Sequence, residues 1–316
     1  MSVERFLLLI PIWIWLLCGL GAAEGVAQTA VVDDTGTEVV IENADRVIAT
    51  SHDLVELMYL MGVGSKLIAV PSWIDYPPQI EALPKLGRPL AIAAEEIIAH
   101  DPTLVLEKDS PLQPQALYGQ LRAVGIPTVV VEDRETLESL YHTIDLVGQV
   151  FGVEGDAQAL INELSGKFAS LTERLTDVAK EERPRVFFMF PANLTGGTGT
   201  TVDLMIRLAG GINVASTAGI VGYQQMSIET ILAMDPERVI VTETAHLSPK
   251  RALEGPQFQG TTAARQGEMA VLVVDPATTT LTGPRFYDGV LEVARWLHPD
   301  RFSEAEASAS EKGGFK

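Results

Sequence analysis

Cysteine is nearly absent from this 316-residue chain. The one copy, Cys18, lies in an apolar run near the amino end, so the rest can form neither a disulfide framework nor a thiolate metal site. Histidine is thin as well. Its five copies are scattered, and no two stand at a metal-ligand spacing. Neither a Gly-x-Ser-x-Gly elbow nor a His-Glu-x-x-His helix occurs, which removes the machinery expected of a secreted α/β hydrolase or a metal-dependent lyase. Positive charge is the last shortage. Against 42 Asp and Glu stand 23 Lys and Arg, a net charge of −19, and a nucleic-acid partner needs the opposite balance.

What is present is apolar and repeated. Hydrophobic residues make up 47% of the chain, enough over this length for the cores of two domains. Ala94-Glu95-Glu96-Ile97-Ile98-Ala99-His100-Asp101-Pro102 followed by Thr103-Leu104-Val105-Leu106 reads as a short helix, a Pro-marked turn and a buried strand. Ile228-Glu229-Thr230-Ile231-Leu232-Ala233-Met234-Asp235-Pro236 followed by Glu237-Arg238-Val239-Ile240 reads the same way, with Glu, Ile, Ala, Asp and Pro in register. Upstream, Arg46-Val47-Ile48, Asp53-Leu54 and Leu60-Met61-Gly62 are echoed by Arg185-Val186-Phe187, Asp203-Leu204 and Leu208-Ala209-Gly210. So long a period is no solenoid. It predicts two α/β lobes of like design.

Between the copies, Leu160, Leu164, Phe168, Leu171, Leu175 and Val178 recur at helical spacing. They predict a helix from Asp156, its N-cap, to about Glu182, stopped by Pro184 and roughly 40 Å long. Taken alone the stripe also suits a coiled coil; its flanks make it a strut. The expected fold is therefore α/β, two similar lobes joined by one long rigid α-helix with a ligand cleft between them. The divisions are a leader (1–27), a first lobe (28–150), the linking helix (151–184), a second lobe (185–300) and a small, charged, disordered tail (301–316).

The leader has one cation, Arg5, then an apolar run from Phe6 to Leu20 and small residues up to Ala27. It reads as a cleaved export signal, with a retained anchor as the alternative, and places the mature chain outside the cytoplasmic membrane. Cys18-Gly19 suggests lipidation, but Leu17 is bulkier than a lipobox prefers. In open α/β sheets ligands bind off the carboxyl ends of the strands, so candidates are sought in strand-to-helix loops. These are His52, the loop from Trp73 to Arg88, the loop from Gly196 to Thr200, Gly222-Tyr223 and Thr282-Gly283-Pro284-Arg285. The Gly-rich loop lacks the Gly-Lys-Ser/Thr ending of a P-loop and reads as a flexible segment at the cleft mouth. His100 matches Met234 in the repeat and reads as helix-face packing; His298 reads as structural, a cation at a helix end.

The ordered motifs Tyr76-Pro77, Leu83-Pro84-x-Leu86-Gly87, Pro102-x-Leu104-Val105-Leu106, Leu208-Ala209-Gly210-Gly211-x-Asn213 and Gly222-Tyr223-x-x-x-Ser227-x-Glu229 cover both lobes. Over residues 30–299 the chain resembles the periplasmic substrate-binding proteins of bacterial ABC importers, in the class with a rigid helical backbone that carries haem, cobalamin or ferric siderophores. It is most similar to the haemin-binding branch. The resemblance implies a monomer without catalysis that captures haem as transported ligand, with a cobalamin or siderophore carrier as the alternative. Its partner would be an ABC permease dimer with its ATPase.

The resemblance also implies the site. Ligand contacts are expected from His52, Tyr76, Arg88, Tyr223 and Arg285, with His52 and Tyr223 as axial candidates for the haem iron. Arg88 departs from the branch, where a tyrosine in that place coordinates the iron; a guanidinium keeps its proton and cannot do so. Three alternatives follow: His52 or Tyr223 holds the iron, Arg88 grips propionates or another anionic group, or the ligand is a siderophore or corrinoid that brings its own metal cage. Tyr76 and Tyr223 are equally readable as packing residues, and Arg285 as an ion-pair partner within its lobe. Glu95 and Glu229, at matching points of the repeat, are expected to dock the lobes onto arginines of the permease. Charge near a helix amino end also stabilises the helix by itself.

Overall fold

The computed structural model describes residues 29–88, 91–109, 117–132, 135–242, 249–279 and 283–302. The leader and residues 303–316 lie outside them. The chain opens with an antiparallel hairpin, β1 (Thr29–Val32) and β2 (Glu38–Ile41). Its turn is not free: Asp33 accepts from the Val130 N–H at 2.9 Å, and the Asp34 N–H donates to Val130 at 3.1 Å. The first lobe then runs β3 (Val47–Ala49), α1 (His52–Leu60), β4 (Leu67–Pro71), β5 (Lys85–Leu86), α2 (Ala94–Ile98), β6 (Leu104–Asp109), α3 (Leu117–Ala123), β7 (Thr128–Glu132) and α4 (Leu137–Phe151). The strands form one parallel sheet in the order β5-β4-β3-β6-β7. Val47 and Ala49 join one apolar cluster and Ile48 another, so both faces are covered. That is why the strands read as unbroken apolar runs rather than alternating ones.

Gly152, at φ +66°, lets the chain reverse after α4 and enter α5 (Glu154–Arg174). This helix is shorter than the stripe predicts. It starts two residues before Asp156, with Val153 rather than Asp156 as N-cap, and ends at Arg174. Its 21 residues span about 32 Å. The pattern misleads at the far end because Leu175 and Val178 stay buried after the backbone has left the helix. The Thr172 and Thr176 hydroxyls donate to the carbonyls four residues back at 2.9 Å, a competition that weakens helical turns. Ala157, Leu160, Leu164, Phe168 and Leu171 are buried. They belong to one apolar cluster reaching from Val31 in the hairpin to Leu297 near the end, so α5 is a spine packed into both lobes.

The second lobe runs β8 (Arg185–Met189), β9 (Leu194–Gly196), α6 (Thr201–Leu208), β10 (Ile212–Asn213), α7 (Val214–Thr217), β11 (Tyr223–Gln225), α8 (Ile228–Met234), β12 (Arg238–Thr242), α9 (Pro249–Leu253), α10 (Thr262–Gln266), β13 (Val271–Val274) and α11 (Phe286–Leu297). Its parallel sheet has the order β10-β8-β12-β13, and β9 pairs antiparallel with β11. Arg301 is seated on Asp177 at 2.7 Å. Among the described residues no helix is long and apolar enough to cross a membrane.

The internal repeat is one of backbone as well as letters. Asp101 and Asp235 both adopt left-handed φ, +48° and +41°, just before their prolines. Arg46 donates to the His100 and Asp101 carbonyls at 2.6 and 2.8 Å, and Arg185 to the matching Met234 carbonyl. Each lobe thus closes its short helix with the arginine that opens its first strand. His100 is not a helix-face packing residue: it follows α2, half exposed, with Nδ1 2.9 Å from the Glu96 carbonyl. His298 is structural, but not through charge. Burial holds its pKa below the usual value, and Nε2 lies 3.2 Å from the Gly210 carbonyl.

Candidate functional site

Polar contacts cross between the lobes from segments that follow the carboxyl ends of strands in the two parallel sheets. Arg285, one residue before α11, reaches out of the second lobe to Glu56 on α1 of the first. Its Nε lies 2.9 Å from both carboxylate oxygens, and a terminal nitrogen adds a further bond. Glu56 is 5% exposed, so this pair is largely dry. Burial raises the Glu56 pKa, and the bonding to Arg285 opposes that rise. The guanidinium also stacks on Tyr76, 4.4 Å from the ring centre, and lies 3.6 Å from Asp275. Arg285 therefore pairs both within its own lobe, with Asp275, and more closely across to the first lobe, with Glu56, a partner that the sequence does not suggest.

His52 belongs to the same neighbourhood. It is the first residue of α1, half-buried, and hydrogen-bonds the Trp73 main chain. Burial lowers its pKa, and the positive charge of Arg285 adds to the effect, against the attraction of Asp53 and Asp75. The lowered pKa favours the neutral ring, the form in which imidazole binds a metal. Trp73 and Tyr76, both half-buried, supply aromatic surface beside it.

Tyr223 and Arg88 occupy other places. Tyr223 lies on β11 of the second lobe, 45% exposed, with its ring 6.1 Å from Phe190 and nearly edge-on. Arg88 follows the edge strand β5, where its main chain bridges to Ala91. Its side chain is exposed and lines a concavity of about 470 Å³ with Ile92 and Glu96. A second concavity, about 460 Å³, includes Arg183, Arg207 and Ile212 and sits at the amino ends of β8 and β10, away from the cleft.

The Gly-rich stretch is not the flexible loop expected. Gly196 pairs with Tyr223 and Thr198 bridges to Val221, so the stretch is half of a small sheet. A Cβ on Gly197 would fall 2.2 Å from the Ile220 carbonyl oxygen, so close approach of two backbones explains the glycine. Nor is the following helix end open to a phosphate. Thr200 caps α6 by accepting from the Asp203 N–H at 3.2 Å, and the Glu135 carboxylate of the first lobe takes the Thr201 N–H and hydroxyl. The protein fills this anion position itself.

Glu56 and Glu135 match no functional motif in the sequence. The signal for Glu56 was its place inside the apolar run Leu54-Val55-Glu56-Leu57-Met58, where an acid must find a partner. Glu95 and Glu229 occupy the same helical position, second in α2 and second in α8, and both are exposed. The backbone amide of Glu229 and the Ser227 hydroxyl lower its pKa. Thr282 lies outside the described residues. Among those residues no group of three or more His, Cys, Asp or Glu is arranged to hold a metal ion.

A family model described as "Periplasmic binding protein" matches residues 47–274, most of both lobes. The chain belongs to that family. As a periplasmic binding protein it is not an enzyme, and its two-lobe α/β fold is the one the sequence predicts. It is similar to the uncharacterized ABC transporter substrate-binding lipoprotein YvrC of Bacillus subtilis (strain 168), 26% identical over 284 residues, covering 88% of each chain. It is also similar to the vitamin B12-binding protein of Photorhabdus laumondii, 28% identical over 62% of this chain and 70% of that one. Among solved structures, the periplasmic heme-binding protein RhuT of Roseiflexus sp. RS-1 in apo form aligns with TM-score 0.74 and 26% identity, over 82% of this chain and all of that one.

Proposed function

We propose that this protein is the extracytoplasmic substrate-binding component of an ABC importer and that its cargo is haem. The observation that carries the haem reading is His52: a half-buried imidazole at the head of α1, hydrogen-bonded to the Trp73 main chain and close enough to Arg285, on which the Tyr76 ring stacks, to feel its charge. An imidazole with aromatic residues nearby suits a metal-bearing macrocycle. Similarity to a heme-binding protein of known structure supports it. Tyr223 is the second axial candidate, placed on the opposite lobe. Arg285 is committed to Glu56, so the exposed Arg88 is the arginine left to meet propionates. Glu95 and Glu229 dock the lobes onto the permease dimer, one charge per lobe at equal helical positions.

One observation favours a second reading, cobalamin. Arg88 stands where the haem branch has its iron-binding tyrosine, and a corrinoid brings its own metal cage and needs no protein ligand; similarity to a vitamin B12-binding protein agrees. Absorption spectra of the haem-loaded protein and its His52→Ala variant test the leading reading. Ligation by His52 predicts that the Soret band shifts or disappears in the variant. An unchanged band takes His52 out of the site.

A further inference from the structure

Two carboxylates of the first lobe reach across to the amino ends of two second-lobe helices. Glu56 holds Arg285 at the start of α11, and Glu135 holds Thr201, the first residue of α6. Neither is an incidental surface contact. Glu56 is almost fully buried and Arg285 is mostly so, and separating the pair leaves the buried Glu56 without its charged partner. Glu135 has φ +57°, a left-handed conformation that L side chains other than Asn and Asp seldom adopt, and its carboxylate receives both the amide and the hydroxyl of Thr201.

The topology separates the contacts. Glu56 follows β3 and Glu135 follows β7, two places apart in the first sheet. Thr201 follows β8 and β9, Arg285 follows β13, and β8 and β13 are two places apart in the second. Two strand spacings are about 10 Å. Contacts so far apart resist rotation of one lobe on the other, which a single contact allows. With the α5 spine they fix the lobes at three points.

We infer that Glu56 and Glu135 are positioning residues that set the width of the cleft, and that this fixed width selects a flat, rigid ligand. The inference rests on the proposed cleft as the binding site, but not on haem being the cargo. A gap held by an ion pair and a helix cap is narrow before the ligand arrives, so a thin macrocycle enters without moving the lobes. A thicker ligand must break at least one clasp. The Tyr76 ring, stacked on the clasped guanidinium, is held as part of the wall by the same pair.

The test uses the full chain carrying Cys18→Ser, with spin labels at Val124→Cys and Met269→Cys, exposed sites on different lobes. Pulsed electron spin resonance reads the inter-lobe distance without ligand. The unmodified clasps predict one narrow distribution; Glu56→Gln with Thr201→Val predicts a broader, longer one. Haem affinity is expected to fall tenfold or more, with a smaller loss for cobalamin, and melting of the labelled protein verifies that the variant folds. Thr201→Val alone, which removes only a hydroxyl, is expected to give part of the broadening and remains available if the double variant does not fold. Unchanged distance distributions in the folded variants overturn the inference. A broadened distribution with an unchanged ratio of haem to cobalamin affinity overturns its specificity claim. Broadening in a protein that binds no haem leaves the clasps standing and removes the haem reading instead.

Discussion

Glu107 offers the sharpest test of how the first lobe is packed. It is the fourth residue of β6, 2% exposed, and its Oε2 has no hydrogen-bond partner among the described residues. Burial pushes its pKa up from 4.5 to about 8, the nearby Asp109 charge adds to the rise, and Arg122 opposes it. The folded state therefore keeps a proton that the unfolded chain releases. Below pH 4.5 both states hold it and nothing is lost. As pH rises toward 8, stability falls by up to about 1.4 kcal/mol per pH unit, or on the order of 3 kcal/mol by pH 7. Glu107→Gln keeps the shape and stays neutral in both states, so this slope vanishes. Urea denaturation of both proteins at pH 5, 6, 7 and 8 reads the difference directly. The variant is expected to gain on the parent with rising pH, by about one proton's worth of slope. Parallel stability profiles would refute the buried, protonated carboxyl.

Three further outcomes are expected. Phe168→Ala on α5 removes a ring lying 5.2 Å from Tyr287 and 6.2 Å from Phe286, and is expected to cost about 3–5 kcal/mol in one cooperative unfolding transition; two separated transitions in the parent protein would contradict a shared spine. Arg46→Ala and Arg185→Ala each leave helix-terminal carbonyls without a charged donor and are expected to cost roughly 1–3 kcal/mol in thermal unfolding, the half-buried Arg185 more than the exposed Arg46; an effect in one lobe only would mean that the repeated contact is not equivalent. Glu95→Arg combined with Glu229→Arg is expected to reduce uptake by the reconstituted importer at least tenfold while leaving ligand affinity unchanged. Undiminished uptake would remove the docking role.

Much of the fold is legible in the chain because the duplication supplies its own control. Asp101-Pro102 and Asp235-Pro236 appear twice in register, and the backbone repeats their left-handed turn. The α5 stripe is legible in place but not in length, since periodicity reports burial and Leu175 and Val178 are buried outside the helix. The position of His52 at the head of a helix just after a strand is legible too, because Ser51-His52 separates a strand pattern from a helical one. The inter-lobe partners are not, because Glu56 and Arg285 lie 229 positions apart and no local pattern joins them. Gly196-Gly197 reads from sequence as a flexible segment at the cleft mouth, whereas the glycines serve the packing of β9 against its neighbours and Glu135 occupies the helix end. Close backbone approach and chain freedom ask for the same residue, so composition alone does not separate them.

The most direct measurement is optical titration of the purified protein with haem and, separately, with cobalamin. A saturable haem complex with a sharp Soret band, lost or shifted in His52→Ala and formed in preference to a cobalamin complex, is the predicted result. Saturable binding of cobalamin with no haem spectrum would contradict the haem assignment, and binding of neither would contradict a tetrapyrrole cleft.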